Sequence, residues 1–379
     1  MNRLQLCKVV SVVLLACSFA SAQTITSFSY PGAGTSASQG TVALGINLAG
    51  AVVGYGPDGN FVVHSYVCVS GCNSPDTFTI VNAPGAGTTN NGASCFLPDT
   101  CQGTYAFSIN AFGVIAGFYV DSDNVNHGFV TAPPYRTIAT LNEPDAGTGA
   151  GQGTLALNIN LGGEIAGNYT DASGVSHGFV TAPPYNTFTS FDPTGSVFTL
   201  TAAGIGINLE GAITGAYFDA SGVLHGYVRA ANGTITEYNV RGAGTASGQG
   251  TNTSGINDLG TIMGPYIDSS GVNHGYVRRR FGAIATFDDP DAGTGSGQGT
   301  IPEGIDLLGE VTGQYVDSNG VNHGFVTVSP FKTFTTFDAP GAGTASGQGT
   351  IPETPNLFGV ITGQYIDENN VHHGFLRTP

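Results

Sequence analysis

The chain has 379 residues and carries 26 Asp and Glu against 10 Lys and Arg, a formal net charge of −16. That balance repels nucleic acid and anionic lipid, and the basic patches that nucleic-acid binders need are missing. Charged residues make up only 9%, but 40% are apolar and there are 59 glycines, which fits a packed fold with many tight turns and excludes a disordered chain.

At the start, Arg3 and Lys8 precede an apolar run from Val9 to Ala16, and Ala20-Ser21-Ala22 offers a cleavage site. Residues 1–22 therefore read as a signal peptide, with 23–379 as one exported domain, secreted or at the cell surface. A second reading cuts before Cys17 and leaves a lipid anchor there, although Leu15 fits that box poorly. The apolar run is too short to span a bilayer, and no other segment reads as transmembrane.

Beyond Gln23 the sequence repeats at about fifty residues. A His in an apolar stretch recurs at His64, His127, His177, His225, His274, His323 and His373. An Asn, once an Asp, stands three residues before a Gly at Asn47, Asn110, Asn160, Asn208, Asn257, Asp306 and Asn356. Each unit parses into four short strands, a to d. In the sixth unit strand b spans 309–316, strand c 321–327 and strand d 333–337, with turns such as Asp317-Ser318-Asn319-Gly320 between them. A four-residue b–c loop would place Val316 opposite Val321 and Gly313 opposite Gly324. That paired-glycine notch should be filled from a neighbouring unit. Strand d has apolar residues three apart, Phe334 and Phe337, which predicts a bulge.

The chain begins with a lone strand d, Ile25 to Tyr30, and ends on a lone strand c, His373 to Arg377. The first strand can complete the last unit. The expectation is thus an all-β, seven-bladed β-propeller of four-stranded blades, closed by the N-terminal strand. The segment Gly255 to Val277, GINDLGTIMGPYIDSSGVNHGYV, resembles the HAF family of extracellular repeat proteins, with His-Gly-Tyr or His-Gly-Phe where the family has His-Ala-Phe. The resemblance implies export and a repeat β-fold, and it brings no activity with it.

Four cysteines remain after export. Cys68 and Cys72 flank a c–d turn, whereas Cys95 and Cys101 lie in a d–a loop at the other end of a strand, ~17–20 Å away. Disulfides Cys68–Cys72 and Cys95–Cys101 follow, since bridged Cα atoms stay within ~7 Å; a zinc knuckle is the rival reading. The histidines stand too far apart for a shared metal and are expected to be buried, hydrogen-bonded packing residues.

The b–c turns and d–a loops should share one face, where most acids gather against Arg241 alone. The candidate ligand-binding residues there are Asp171, Asp192, Asp219, Asp268, Asp317, Asp338 and Asp367, for Ca²⁺ or a cationic partner. The bland alternative makes them turn starters that keep the face soluble. No cofactor is required. Pro340 to Thr350 is Gly-rich but lacks the ending of a phosphate loop and reads as a spacer. Two departures stand out: Asp192 to Thr201 replaces that loop, and the Cys95–Cys101 insertion extends another. The best reading is a monomeric binding module for an extracellular polymer or protein. A polysaccharide hydrolase or lyase using carboxylates at the propeller mouth, and a structural matrix component, are the alternatives.

Overall fold

The structure is a computed structural model that describes residues 23–90, 95, 101–280 and 282–379. The expected leader, Cys17 included, lies outside the described residues, as does Asp99. No helix among the described residues is long and apolar enough to cross a membrane. The fold is all-β, with short 3₁₀ turns at Ser70–Cys72 and Pro75–Thr77.

The sixth unit shows the pattern. Its strands a (Gly299–Ile305), b (Val311–Val316), c (Asn322–Thr327) and d (Phe334–Phe337) pair antiparallel in that order. Thr and β-branched residues fill the strands, and Asx-Gly turns join them. In the b–c turn, Asp317 Oδ1 accepts the backbone N–H of Asn319 at 2.8 Å and of Val321 at 2.8 Å. Asp317 N–H donates to the Val321 carbonyl at 3.0 Å. Val321 is thereby spent inside the loop and strand c starts one residue later than expected. Val316 stands opposite Asn322, and Gly313 opposite Phe325.

The paired-glycine notch is therefore absent, and the same shift puts Gly117 opposite Phe129 and Gly363 opposite Phe375. The strand-c glycines still make room for a side chain, but it comes first from strand d of the same unit: a ring at Gly178, Gly226, Gly275 and Gly324, and Leu141 at Gly128. A Cβ on Gly324 would lie 2.8 Å from Phe337, and one on Gly178 2.5 Å from Phe191.

Strand d pairs regularly, without the expected bulge. Residues three apart on a strand face opposite ways. Phe334 accordingly packs with Phe287 and Phe325, while Phe337 meets Phe375 of the next unit. The bulges fall in strand a instead, between Ala43 and Gly45, Ala106 and Ser108, Ala156 and Asn158, Pro302 and Gly304, and Pro352 and Pro355.

Between strand d and the next strand a, the Gly-rich loop winds around one glutamine. Gln298 Oε1 accepts Gly295 N–H at 2.8 Å, its amide donates to the Ser318 carbonyl at 3.1 Å, and Gly297 N–H donates to the Gly271 carbonyl at 2.8 Å. Each loop thus grips its own b–c turn and that of the preceding unit, so turns and loops share one end. Gly299 (φ 114°) is required, because a Cβ there would lie 2.0 Å from the Asn273 carbonyl oxygen.

At the opposite end, the a–b turns are tied together by a chain of amides. Asn47 Nδ2 donates to the Asn110 carbonyl (3.1 Å), Asn110 to Asn160 (3.1 Å), Asn160 to Asn208 (3.0 Å), Asn208 to Asn257 (3.3 Å) and Asn257 to Asp306 (2.8 Å). Asn356 donates back to Asn47 at 3.3 Å. Just past these residues, Leu48, Phe112, Leu161, Leu209, Leu259, Leu308 and Phe358 are exposed at the turn tips. The first strand, Thr24–Phe28, pairs antiparallel with His372–Thr378, from Thr24 opposite Thr378 to Phe28 opposite Gly374. Both disulfides are formed, with Cα–Cα distances of 5.5 Å for Cys68–Cys72 and 4.5 Å for Cys95–Cys101.

Candidate functional site

Six of the repeated histidines stack on a strand-b tyrosine, as in Tyr315–His323 and Tyr119–His127, both with centroids 4.9 Å apart, whereas His64 stands opposite Gly56. Each Nε2 meets the aspartate that opens the b–c turn: His127–Asp121 at 3.0 Å, His225–Asp219 at 3.2 Å, His373–Asp367 at 3.1 Å. Nδ1 meets the residue after strand d, which is Asn142 for His127, Asp192 for His177 (2.7 Å), Asp288 for His274 (2.9 Å) and Asp338 for His323 (3.0 Å). The hydrogen bonding follows expectation, but the histidines are half-buried rather than buried, because tyrosine covers only one ring face.

The turn aspartates Asp121, Asp171, Asp219, Asp268, Asp317 and Asp367 hold their protons weakly. At Asp219 the Val223 N–H, then the His225 contact, bring its carboxyl below the usual range. At Asp121 burial pushes up, but backbone N–H groups and His127 outweigh it. Burial would lower His177, yet the hydrogen bond and charge of Asp192, with Asp171 behind, raise it.

The structure thus joins Asp171 to Asp192 through His177, and Asp317 to Asp338 through His323. Asp219, Asp268 and Asp367 each meet the histidine of their own unit. The seven do not converge. In the turn aspartates, Oδ1 is taken by two backbone N–H groups and Oδ2 faces the imidazole. Among the described residues, no group of three or more His, Cys, Asp or Glu is placed to hold a metal ion.

A different place gathers chemistry. A cavity of about 650 Å³ runs along the strand-a residues and opens between the third and fourth units. The strand-a bulges aim Leu44, Phe107, Leu157, Glu303 and Glu353 into it. Its mouth is made by the segment that replaces the Gly-rich loop, with Phe198, Leu200 and Thr201 in the wall and Val197 and Phe198 exposed. Asn168 holds that segment, donating to the Thr199 carbonyl (2.8 Å) and accepting from Thr201 N–H (3.0 Å); Ser176 adds a bond to Thr199 (2.7 Å). Asn126, buried in the wall, has an Oδ1 with no hydrogen-bond partner.

Burial raises the Glu303 carboxyl to about 8. Burial, then repulsion from Glu303, raises Glu353 well above its ordinary value. Among the described residues, no Lys or Arg lines the cavity. Its surface is thus apolar and aromatic on one side, with neutral amides, hydroxyls and a proton-retaining acid pair on the other. The sequence reading missed Glu303 and Glu353. Their signal was positional: they replace Leu44, Phe107 and Leu157 of other units.

No family model and no curated protein matches the chain. Solved structures similar to it include the BP39L lectin of Burkholderia pseudomallei, at 12% identity and TM-score 0.48, over 93% of this chain and 100% of that one. AofleA of Arthrobotrys oligospora is similar at 11% identity and TM-score 0.42, over 83% and 90% of the two chains. The Aleuria aurantia lectin is similar at 13% identity and TM-score 0.40, over 83% and 94%; its fold is described as a six-bladed β-propeller, whereas this chain carries seven repeats.

Proposed function

We propose that the chain is an exported, seven-bladed β-propeller of the HAF-repeat kind, closed by its first strand, that binds an uncharged polysaccharide segment in the central cavity. The reading is carried by the lining: apolar and aromatic surface (Phe107, Phe198, Leu200) faces neutral hydrogen-bonding groups, with no Lys or Arg among the described lining residues to select an anionic ligand. Sugars present the same two characters, a C–H face and a hydroxyl edge. Location supports it too, because the cavity opens at the loop replacement that sets the fourth unit apart. Calorimetry with neutral oligosaccharides tests it. The expected result is binding by the mature chain and at least about tenfold weaker binding by Phe198→Ser and by Asn126→Ala. Absence of binding across a broad neutral glycan panel, or affinity that ignores both substitutions, overturns the proposal.

A hydrolase is the second reading, favoured by the Glu303–Glu353 pair: both carboxyls are raised by burial, and a carboxyl pair can cleave a glycosidic bond once one of the two gives up its proton. It requires that bound polysaccharide release reducing ends and that Glu303→Gln and Glu353→Gln stop the release without stopping binding.

A further inference from the structure

The molecule contains two sets of seven turns with the same backbone hydrogen bonding and opposite chemistry. In the a–b turn, Asn110 Oδ1 accepts Phe112 N–H (3.0 Å) and Val114 N–H (3.0 Å), and Asn110 N–H donates to the Val114 carbonyl (3.0 Å). The b–c turn at Asp317 makes the same three bonds. That geometry asks nothing of the two tip residues, which point into solvent. The b–c tips are nevertheless Ser, Asn, Asp, Glu, Gly or Ala, whereas every a–b turn carries a Leu or Phe. The exposure is large: Leu308 79%, Phe112 70%, Phe358 66% and Leu259 59%. An exposed apolar set of this size marks an interaction surface.

Charge narrows the occupant. A net charge of −16 opposes docking to an anionic lipid surface, and a basic partner would be drawn to the opposite, acid-rich end. The a–b end mixes signs: Arg280 pairs with Glu210 at 2.6 Å, Asp258 stands at an a–b tip, and Arg279 and Lys332 stand in the c–d turns at the same end of the strands. A mixed-sign, apolar-tipped surface complements a copy of itself, as a two-fold interface requires. The amide chain from Asn47 to Asn356 ties successive a–b turns together, so the apolar tips stand on one connected set of turns.

We propose that this end is a self-association surface, joining two copies back to back with their acid-rich ends outward. The argument is independent of the cavity and its ligand. Sedimentation velocity on the mature chain, alongside flotation with neutral and anionic vesicles, tests it. The expected result is a dimer at about 50 µM and no co-flotation. The variant Leu259→Ser/Leu308→Ser/Phe358→Ser should weaken the dimer at least about 100-fold, with Tm close to wild type at dilutions where both chains are monomeric, because the tips are mostly exposed within one copy. A wild-type monomer at that concentration, a dimer indifferent to the triple substitution, or vesicle binding by the monomer would each overturn the proposal.

Discussion

Asp121 illustrates how much one carboxylate does at the rim: Oδ1 accepts Asp123 N–H (2.8 Å) and Val125 N–H (2.9 Å), while Oδ2 meets His127 at 3.0 Å. Asp121→Ala strips both turn N–H groups of their acceptor and should cost about 1–2 kcal/mol, seen as a lower Tm. Asp121→Asn should recover most of that. Because Asp121, Asp219 and Asp367 are held below their usual range, their stabilisation is present above the unfolded value and is lost as pH falls through the lowered one. Acid melting below about pH 4 is expected. Glu303 acts with the opposite sign. Its folded value, raised to about 8, means the folded state keeps a proton that the unfolded chain releases near its ordinary value of 4.5. Stability is therefore complete below that ordinary value and declines as pH rises toward 8. Glu303→Gln should melt above wild type at pH 8.5 and level with it at pH 4; equal melting at both would place the carboxyl in water. The rim aspartates were legible because Asp-x-x-Gly is turn chemistry. Glu303 was not, because an alternating reading of strand a has no place for a bulged residue that points into a cavity.

Among elements, the a–b turns contain a built-in defect. Six amides of the chain have a donor, but Asp306 occupies the seventh place and a carboxylate cannot donate to the Asn356 carbonyl. Its Oδ1 does keep the turn bond, accepting Glu310 N–H at 2.8 Å. Asp306→Asn preserves that acceptor and adds the missing donor, for an expected gain of about 1 kcal/mol. It also removes a charge near Glu310, whose carboxyl is raised by burial and then by Asp306. The gain in Tm should therefore be larger at pH 7 than at pH 4; a Tm that falls at both would mean the seventh bond does not form. Strand order, turn positions and the shared end of b–c turns and d–a loops could all be read from Asx-Gly spacing. The b–c register could not, because a four-residue loop and a five-residue one have the same sequence signature. Only the carboxylate's capture of Val321 N–H decides between them. Strand d misled for a related reason. Aromatics three apart suggested an irregular strand, when each was serving a different neighbour, Phe334 toward Phe287 and Phe337 toward Phe375.

At the scale of the whole molecule, the pairing of residues far apart in sequence is what the short strands depend on. Thr24–Phe28 supplies the outer strand of the last unit, and Phe28 fills the room left by Gly374, where a Cβ would lie 2.5 Å from its ring. The same ring meets Tyr66 of the first unit edge-on at 6.3 Å, and Tyr30 stacks on Tyr66 at 5.6 Å, so the segment fastens the last unit to the first. This could be foreseen from a lone strand d at one end and a missing one at the other. Removal of residues 23–30 should do more than delete a strand. It bares the backbone edge of His372–Thr378 and the glycine pocket together, and exposed edges recruit other chains. A chain beginning at Pro31 is expected to melt well below the intact protein and to scatter light on heating. Phe28→Ala, which keeps the backbone pairing and empties the pocket, should lose about 3–5 kcal/mol without that aggregation. If the shortened chain melted like the intact one, the last unit would be stable without its borrowed strand, and the contacts of Phe28 and Tyr30 with Tyr66 would add nothing to the fold.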